Sequence, residues 1–83
     1  MWWVYIVRCR DGSLYTGVTT DVTRRVRQHQ AGRGGAYTAS HRPVRLAYTE
    51  AMRHRSSALR REAVLKRFTR ARKLALIAAQ EVR

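Results

Sequence analysis

The sequence predicts a small α/β (α+β) domain, a three-stranded sheet flanked by helices in the order β-β-α-β-α-α. Three observations predict it. Residues 2–8 form a near-continuous apolar run rich in aromatic and β-branched types, the pattern of a strand covered on both faces. Asp11-Gly12 follows as a turn signal that folds the chain back on itself. A later stretch from Pro43 alternates Val44, Leu46 and Tyr48 with Arg45, Ala47 and Thr49, the period of a half-buried strand, and it lies between segments with helix-capping residues. At 83 residues the chain is read as one domain, 1–83. A domain this small buries only ~60–65% of its unfolded surface, enough for one sheet and a few helices.

Taken in order, the first strand runs over residues 2–8 and the second from Ser13 to Gly17. The connection decides which side chains share a face. A two-residue turn would pair Arg8 with Tyr15 and put Tyr5 and Tyr15 on opposite faces. A three-residue loop, Arg10-Asp11-Gly12, would pair Val7 with Tyr15 and Tyr5 with Gly17, so that both rings share one face. Gly12 stands where the second arrangement needs a left-handed residue, and that arrangement is expected. Thr19-Thr20-Asp21 supplies N-cap candidates for a helix over about 21–31 with Val22 and Val26 as its apolar stripe. Gly32, Arg33, Gly34 and Gly35 end it in a basic loop. Pro43 opens the third strand. Ser56 or Ser57 caps a second helix reaching about Phe68, and Thr69 caps a third with Leu74, Ile77 and Ala78 on one face.

Charge narrows the function classes. Lys and Arg number 18 against 5 Asp and Glu, a net charge of +13. The excess lies beyond Thr23, where 16 bases face three acids. Such a field calls for a polyanion, and nucleic acid is the commonest; a ribosomal surface or an anionic membrane surface are the other polyanions. No stretch approaches the ~18 apolar residues of a membrane span. Trp2 to Val7 lacks the basic lead-in and cleavage site of a secretion signal. A lone cysteine, Cys9, excludes an internal disulfide and a multi-cysteine zinc site. The expected compartment is the cytoplasm.

Several residues are candidates for chemistry. Tyr5 and Tyr15 have been placed on one face. Arg25 and His29 are four apart on the first helix and project together at the edge of its apolar stripe. Arg24, Arg27 and Gln28 read as its solvated side. Glu62 is the sole acid between Glu50 and Glu81, set among Arg60, Arg61, Lys66 and Arg67 but beside Ala58, Leu59 and Leu65. A plain i,i+4 pair with Lys66 accounts for it without function. Equally, a single carboxylate suits a hard cation whose remaining shell is water and phosphate.

Together, Tyr5, Tyr15-Thr16-Gly17, Arg25, His29 and Glu62 resemble the GIY-YIG nuclease superfamily, and most closely its small stand-alone bacterial (UPF0213-like) members. The match is carried by residues 3–9, by Leu14 to Asp21 with Arg24-Arg25 and Gln28-His29, by Arg42 to Leu46, and by Ser57 to Glu62. The first motif departs from Gly-Ile-Tyr, and Val18 stands where some members carry a lysine, which shifts weight onto His29. The resemblance implies an antiparallel three-stranded sheet and a metal-dependent DNA endonuclease. It implies Tyr5, Tyr15, Arg25, His29 and Glu62 as catalytic residues, Glu62 as the ligand of Mg²⁺ or Mn²⁺, and Gly17 as structural. A cation at Glu62 would neutralise charge on the scissile phosphate, and Arg25 would grip one of its oxygens. Tyr5 is favoured as the group that handles the water proton. Arg24, Arg33, Arg42 and Arg61 are expected to meet nucleic-acid phosphates, DNA in the first instance and RNA in the second, with no membrane partner. With no separate DNA-binding domain in view, structure-selective or partner-directed cleavage is expected over sequence-specific cleavage. The rival readings are a weak or inactive nucleic-acid-binding module on the same fold and a ribosome- or RNA-associated basic protein.

Overall fold

In the computed structural model, which describes residues 1–81, strand β1 (Trp2–Arg8) is the centre of an antiparallel sheet with β2 (Leu14–Thr19) on one side and β3 (Arg45–Met52) on the other. The central place explains the apolar run. Val4, Tyr5, Ile6 and Val7 are all at most 1% exposed, because helices cover both faces. The hairpin takes the three-residue loop. Tyr5 pairs with Gly17 and Val7 with Tyr15, the Cys9 N–H donates to the Ser13 carbonyl at 2.9 Å, and Gly12 sits at φ +86°. Asp11 braces the turn by accepting from the Ser13 N–H and hydroxyl.

One face of the sheet packs Tyr5, Val7, Cys9 and Val44 against Tyr15 and against Val26 of helix α1 (Val22–Gln30). Asp21 caps that helix by accepting from the Arg24 N–H at 3.0 Å. The opposite face packs Val4 and Ile6 against α3 (Arg55–Lys66) and α4 (Arg70–Glu81), through Ala58, Leu65 and Ile77. Leu65 is completely buried, so Leu65→Ala would cost ~2–5 kcal/mol and loosen α3 from the sheet.

The structure corrects several expectations. A short helix, α2 (Ala36–Ser40), stands in what reads as the tail of a loop. The second strand runs to Thr19, and the third starts at Arg45, two residues after Pro43, which has no N–H to give the ladder. A register shift opposite Ile6 and Val7 breaks the alternation of β3. Val44 and Tyr48 consequently join clusters on opposite faces, while Leu46 is 42% exposed. Neither Ser56 nor Ser57 caps α3; His54 is at the cap position, without a side-chain bond. Thr69 does cap α4, accepting from the Arg72 N–H. Leu76, not the exposed Ala78, joins Ile77 in the core.

Candidate active site

Tyr5 lies at the middle of β1 with its ring against Gly17 of β2. A Cβ at Gly17 would lie 2.5 Å from the phenol oxygen, so the ring occupies the space a side chain would need. This is a requirement of volume and not of backbone conformation, since Gly17 is not among the glycines with positive φ. Above the ring, α1 brings Arg25 and His29 to the phenol. His29 Nε2 is 2.8 Å from Tyr5 Oη, and Arg25 Nε donates to the same oxygen at 3.3 Å.

His29 is completely buried, a stronger placement than a polar residue near a helix end suggests. Its other nitrogen, Nδ1, is 2.8 Å from Thr38 Oγ1 on α2. The Thr38 hydroxyl donates to the Gly35 carbonyl at 3.4 Å, so it accepts from Nδ1–H. These contacts fit the tautomer in which Nδ1 carries the proton and Nε2 accepts from the Tyr5 hydroxyl. Gly34 completes the fit, since a Cβ there would collide with the His29 ring.

Arg25 is braced as firmly. Its NH1 donates to Gln28 Oε1 and its NH2 to the Gly34 carbonyl, both at 3.1 Å. Of the five N–H groups of a guanidinium, three are thereby used, and two stay available for an anion. Tyr15 stands edge-on to His29, with ring centroids 5.4 Å apart, and near-parallel to Tyr37 at 6.5 Å.

These contacts set the resting protonation. Burial pushes the Tyr5 phenol above its ordinary 10, more than Arg25 pulls it down, so at neutral pH it holds its proton. Burial and the Arg25 charge hold His29 below its ordinary 6.5, so the ring is neutral and free to accept one. The arrangement is a protonated phenol against a neutral imidazole, with a guanidinium placed to stabilise the phenolate that proton transfer would leave.

Glu62 lies on α3, whose buried side packs on the other face of the sheet. After burial, which dominates, the negative charge of Glu62 adds to raising the Tyr5 phenol. Its side chain is 19% exposed and lies 3.5 Å from Lys66 Nζ, the i,i+4 pair anticipated from spacing. Among the described residues no three His, Cys, Asp or Glu side chains are grouped to hold an ion. The donor set offered is one hard carboxylate. It fits a cation of the Mg²⁺ kind, which keeps most of its shell as water and phosphate, and it does not fit a zinc site.

The four arginines expected at phosphates are placed differently from one another. Arg24 and Arg33 are exposed and share an open cleft beside Gln28 with Arg27. Arg42 is exposed, its Nε donating to the Ala39 carbonyl. Arg61 is held by Glu50, Nε to Oε1 at 2.9 Å, and Glu50 also accepts from Tyr48 at 2.6 Å. Sequence reasoning missed Thr38 and Gly34 and took Gln28 for a solvated residue. For Gln28 a signal existed, its i+3 spacing from Arg25. No helix among the described residues is long and apolar enough to cross a membrane.

Comparison with known proteins shows the family and the fold. The family described as the GIY-YIG catalytic domain matches residues 1–75. A UPF0213 protein of Desulfotalea psychrophila is 49% identical over 81 residues, 96% of this chain and 74% of that protein. One from Staphylococcus haemolyticus is 51% identical over 75 residues, 90% of this chain and 92% of the other. The solution structure of a UPF0213 protein from Bacillus halodurans is similar with a TM-score of 0.61 at 42% identity, covering 95% of this chain and 85% of that one.

Proposed function

This chain belongs to the GIY-YIG family, and on that premise we propose that it is a divalent-metal-dependent DNA endonuclease that hydrolyses phosphodiester bonds. The observation that carries the reading is the Tyr5 hydroxyl held between His29 Nε2 at 2.8 Å and Arg25 Nε at 3.3 Å. A buried phenol between a neutral base and a fixed cation is arranged to lose its proton and take another. A purely structural tyrosine needs one hydrogen-bond partner at most.

The proposed sequence begins with transfer of the Tyr5 Oη proton to His29 Nε2. Thr38 holds the ring through Nδ1, so the imidazolium that forms keeps both N–H groups bonded. Arg25 Nε stabilises the phenolate, which draws a proton from the attacking water as the water oxygen bonds to phosphorus. The bond from phosphorus to the leaving oxygen breaks, that oxygen takes a proton from solvent, and the imidazolium returns one to solvent. The two uncommitted N–H groups of Arg25 receive a non-bridging phosphate oxygen, and Tyr15 positions water or phosphate from the neighbouring strand. Glu62 would hold the Mg²⁺ or Mn²⁺, which would neutralise charge on the phosphate and on the leaving oxygen. Phosphate contacts fix position without reading bases, so exposed arginines such as Arg24, Arg33 and Arg42 fit structure-selective or partner-directed cleavage rather than a sequence-specific cut.

The test is nicking of supercoiled plasmid by the purified chain in Mg²⁺ and in EDTA, with a branched DNA, a single-stranded DNA and an RNA beside it. Cleavage abolished by EDTA is the expected result. Binding without cleavage of any of the four would favour the alternative, a binding module on this fold, for which the Lys66–Glu62 pair would be simply a helix ion pair.

A further inference from the structure

Beyond the end of β1 lies an open cleft of about 540 Å³ that the chemistry above does not use. Four arginines from four segments line it: Arg8 at the end of β1, Arg10 in the hairpin loop, Arg45 at the start of β3 and Arg70 at the start of α4. No acid is among its lining residues. Asp11, next to Arg10, is turned to Ser13, and its other oxygen is 3.8 Å from His41. Glu81 lines an adjoining groove with Arg8 and Arg45.

Two features make this a built arrangement. Arg8 and Arg45 are direct cross-strand partners, so their side chains leave the same face with Cβ atoms ~5 Å apart. Like charges in that position repel unless an anion lies between them. Arg8 Nε is also buried without any hydrogen-bond partner, an unmet donor on a charged group. Arg70 is fixed nearby by NH1 donating to the Gly12 carbonyl at 2.6 Å, which leaves its other N–H groups unused in that bond.

We infer that this cleft is a second phosphate-binding subsite, taking a phosphate group remote from the bond that is cut. Converging guanidinium forks match a group with several oxygen acceptors and full negative charge. The source of that phosphate rests on the nuclease reading. Cys9, the residue after β1, is four residues from Tyr5, about 13 Å at strand rise, or roughly four base steps of duplex at 3.4 Å each. The cleft opens at the end of the sheet, lined by Cys9 and Val44 of the tyrosine face as well as by Arg8 and Arg70. A nucleic acid that crosses the tyrosines and continues past this end therefore presents a backbone or terminal phosphate at about this distance.

The experiment follows the Arg8 Nε–H resonance of the ¹⁵N-labelled wild-type chain in EDTA, at constant ionic strength set with chloride. Inorganic phosphate is added first, then a short duplex with and without a 5′-phosphate. A saturable shift with phosphate and with both duplexes supports the subsite and assigns it to the backbone. A shift with phosphate and only the phosphorylated duplex supports it as a terminal-phosphate site. An Arg8 signal unmoved by all three overturns it. Arg70→Gln, at an exposed helix position, should weaken phosphate binding at least ~5-fold and lower the log–log salt slope of duplex binding by about 1. Unchanged binding and slope in Arg70→Gln would also overturn it. Because EDTA suppresses metal-dependent cleavage, a wild-type chain that cuts nothing in Mg²⁺ would sink the nuclease reading and leave these shifts to stand or fall separately.

Discussion

Thr38→Val removes one hydroxyl and keeps the side chain's shape. The oxygen lost is 2.8 Å from His29 Nδ1 and 3.4 Å from the Gly35 carbonyl. Because His29 is 0% exposed, no water replaces it. If Nδ1 keeps its proton, a buried donor is orphaned at a cost of ~1–3 kcal/mol. If the proton moves to Nε2, part of that cost is relieved. The bond to Tyr5 is then reversed, and Nε2 donates to the phenol where it should accept from it. In the first case the imidazolium loses the acceptor that steadies it, and in the second Nε2 no longer accepts, so the base is weakened in both. Nicking should fall ~10²–10⁴-fold, the range of general-base losses. The melting temperature should drop by ~4–8 °C for each kcal/mol lost at this chain length. Thr38→Ser, which retains the hydroxyl, should restore most of both. The His29 ring nitrogens, followed by ¹⁵N NMR, separate this account from simple loosening: Nδ1 carries the proton in the wild type and gives it up in the valine variant. Wild-type nicking by Thr38→Val, with an unchanged ring tautomer, would refute the reasoning.

Three further outcomes are expected. Glu62→Gln keeps shape and removes charge, so nicking in Mg²⁺ should fall at least ~10²-fold while DNA affinity holds or rises; stability should change by only ~0.3–0.5 kcal/mol, because the Lys66 pair is a half-exposed helix contact. Wild-type nicking by this variant would remove the metal assignment. His29 titrates near 6.5 when unfolded and lower in the fold, so between those values the unfolded chain binds more protons. The stability His29 contributes is therefore complete above about pH 6.5 and is lost as pH falls through the depressed value. Urea midpoints at pH 7.5 and 5.5 check this, and equal midpoints would argue against a buried neutral ring. Gly34→Ala drives a Cβ into the His29 ring, so overpacking of ~1–3 kcal/mol and at least ~10-fold slower nicking should appear together. Melting and plasmid assays on one preparation test that pairing.

What could be read without coordinates was what local chemistry dictates. Gly12 and Gly17 together specify the hairpin register, and with it the shared face of Tyr5 and Tyr15. The spacing of Arg25 and His29 puts them on one side of α1. The complete burial of His29 was also latent, since 22, 26 and 29 continue one helical stripe, and only the residue type argues against the core. Helix α2 was not legible. Five residues cannot display a helical period, and Gly32, Gly34 and Gly35 before it read as loop. Thr38 was missed for that reason, because its contact to His29 spans nine residues through a segment without pattern. The break in β3 belongs to pairing between strands, which alternation along one strand does not encode. Arg61 reads as a free base because its partner, Glu50, is eleven residues away on another element.

The most direct measurement is supercoiled-plasmid nicking in Mg²⁺ by the wild-type chain and by Tyr5→Phe. The substitution keeps the ring that fills the space beside Gly17 and deletes only the oxygen that His29 and Arg25 share. EDTA-sensitive nicking by the wild type, ~10²–10⁴-fold slower in Tyr5→Phe with DNA affinity unchanged within ~2-fold, is the predicted result. A folded Tyr5→Phe that nicks at the wild-type rate would contradict the claim that this phenol moves the proton.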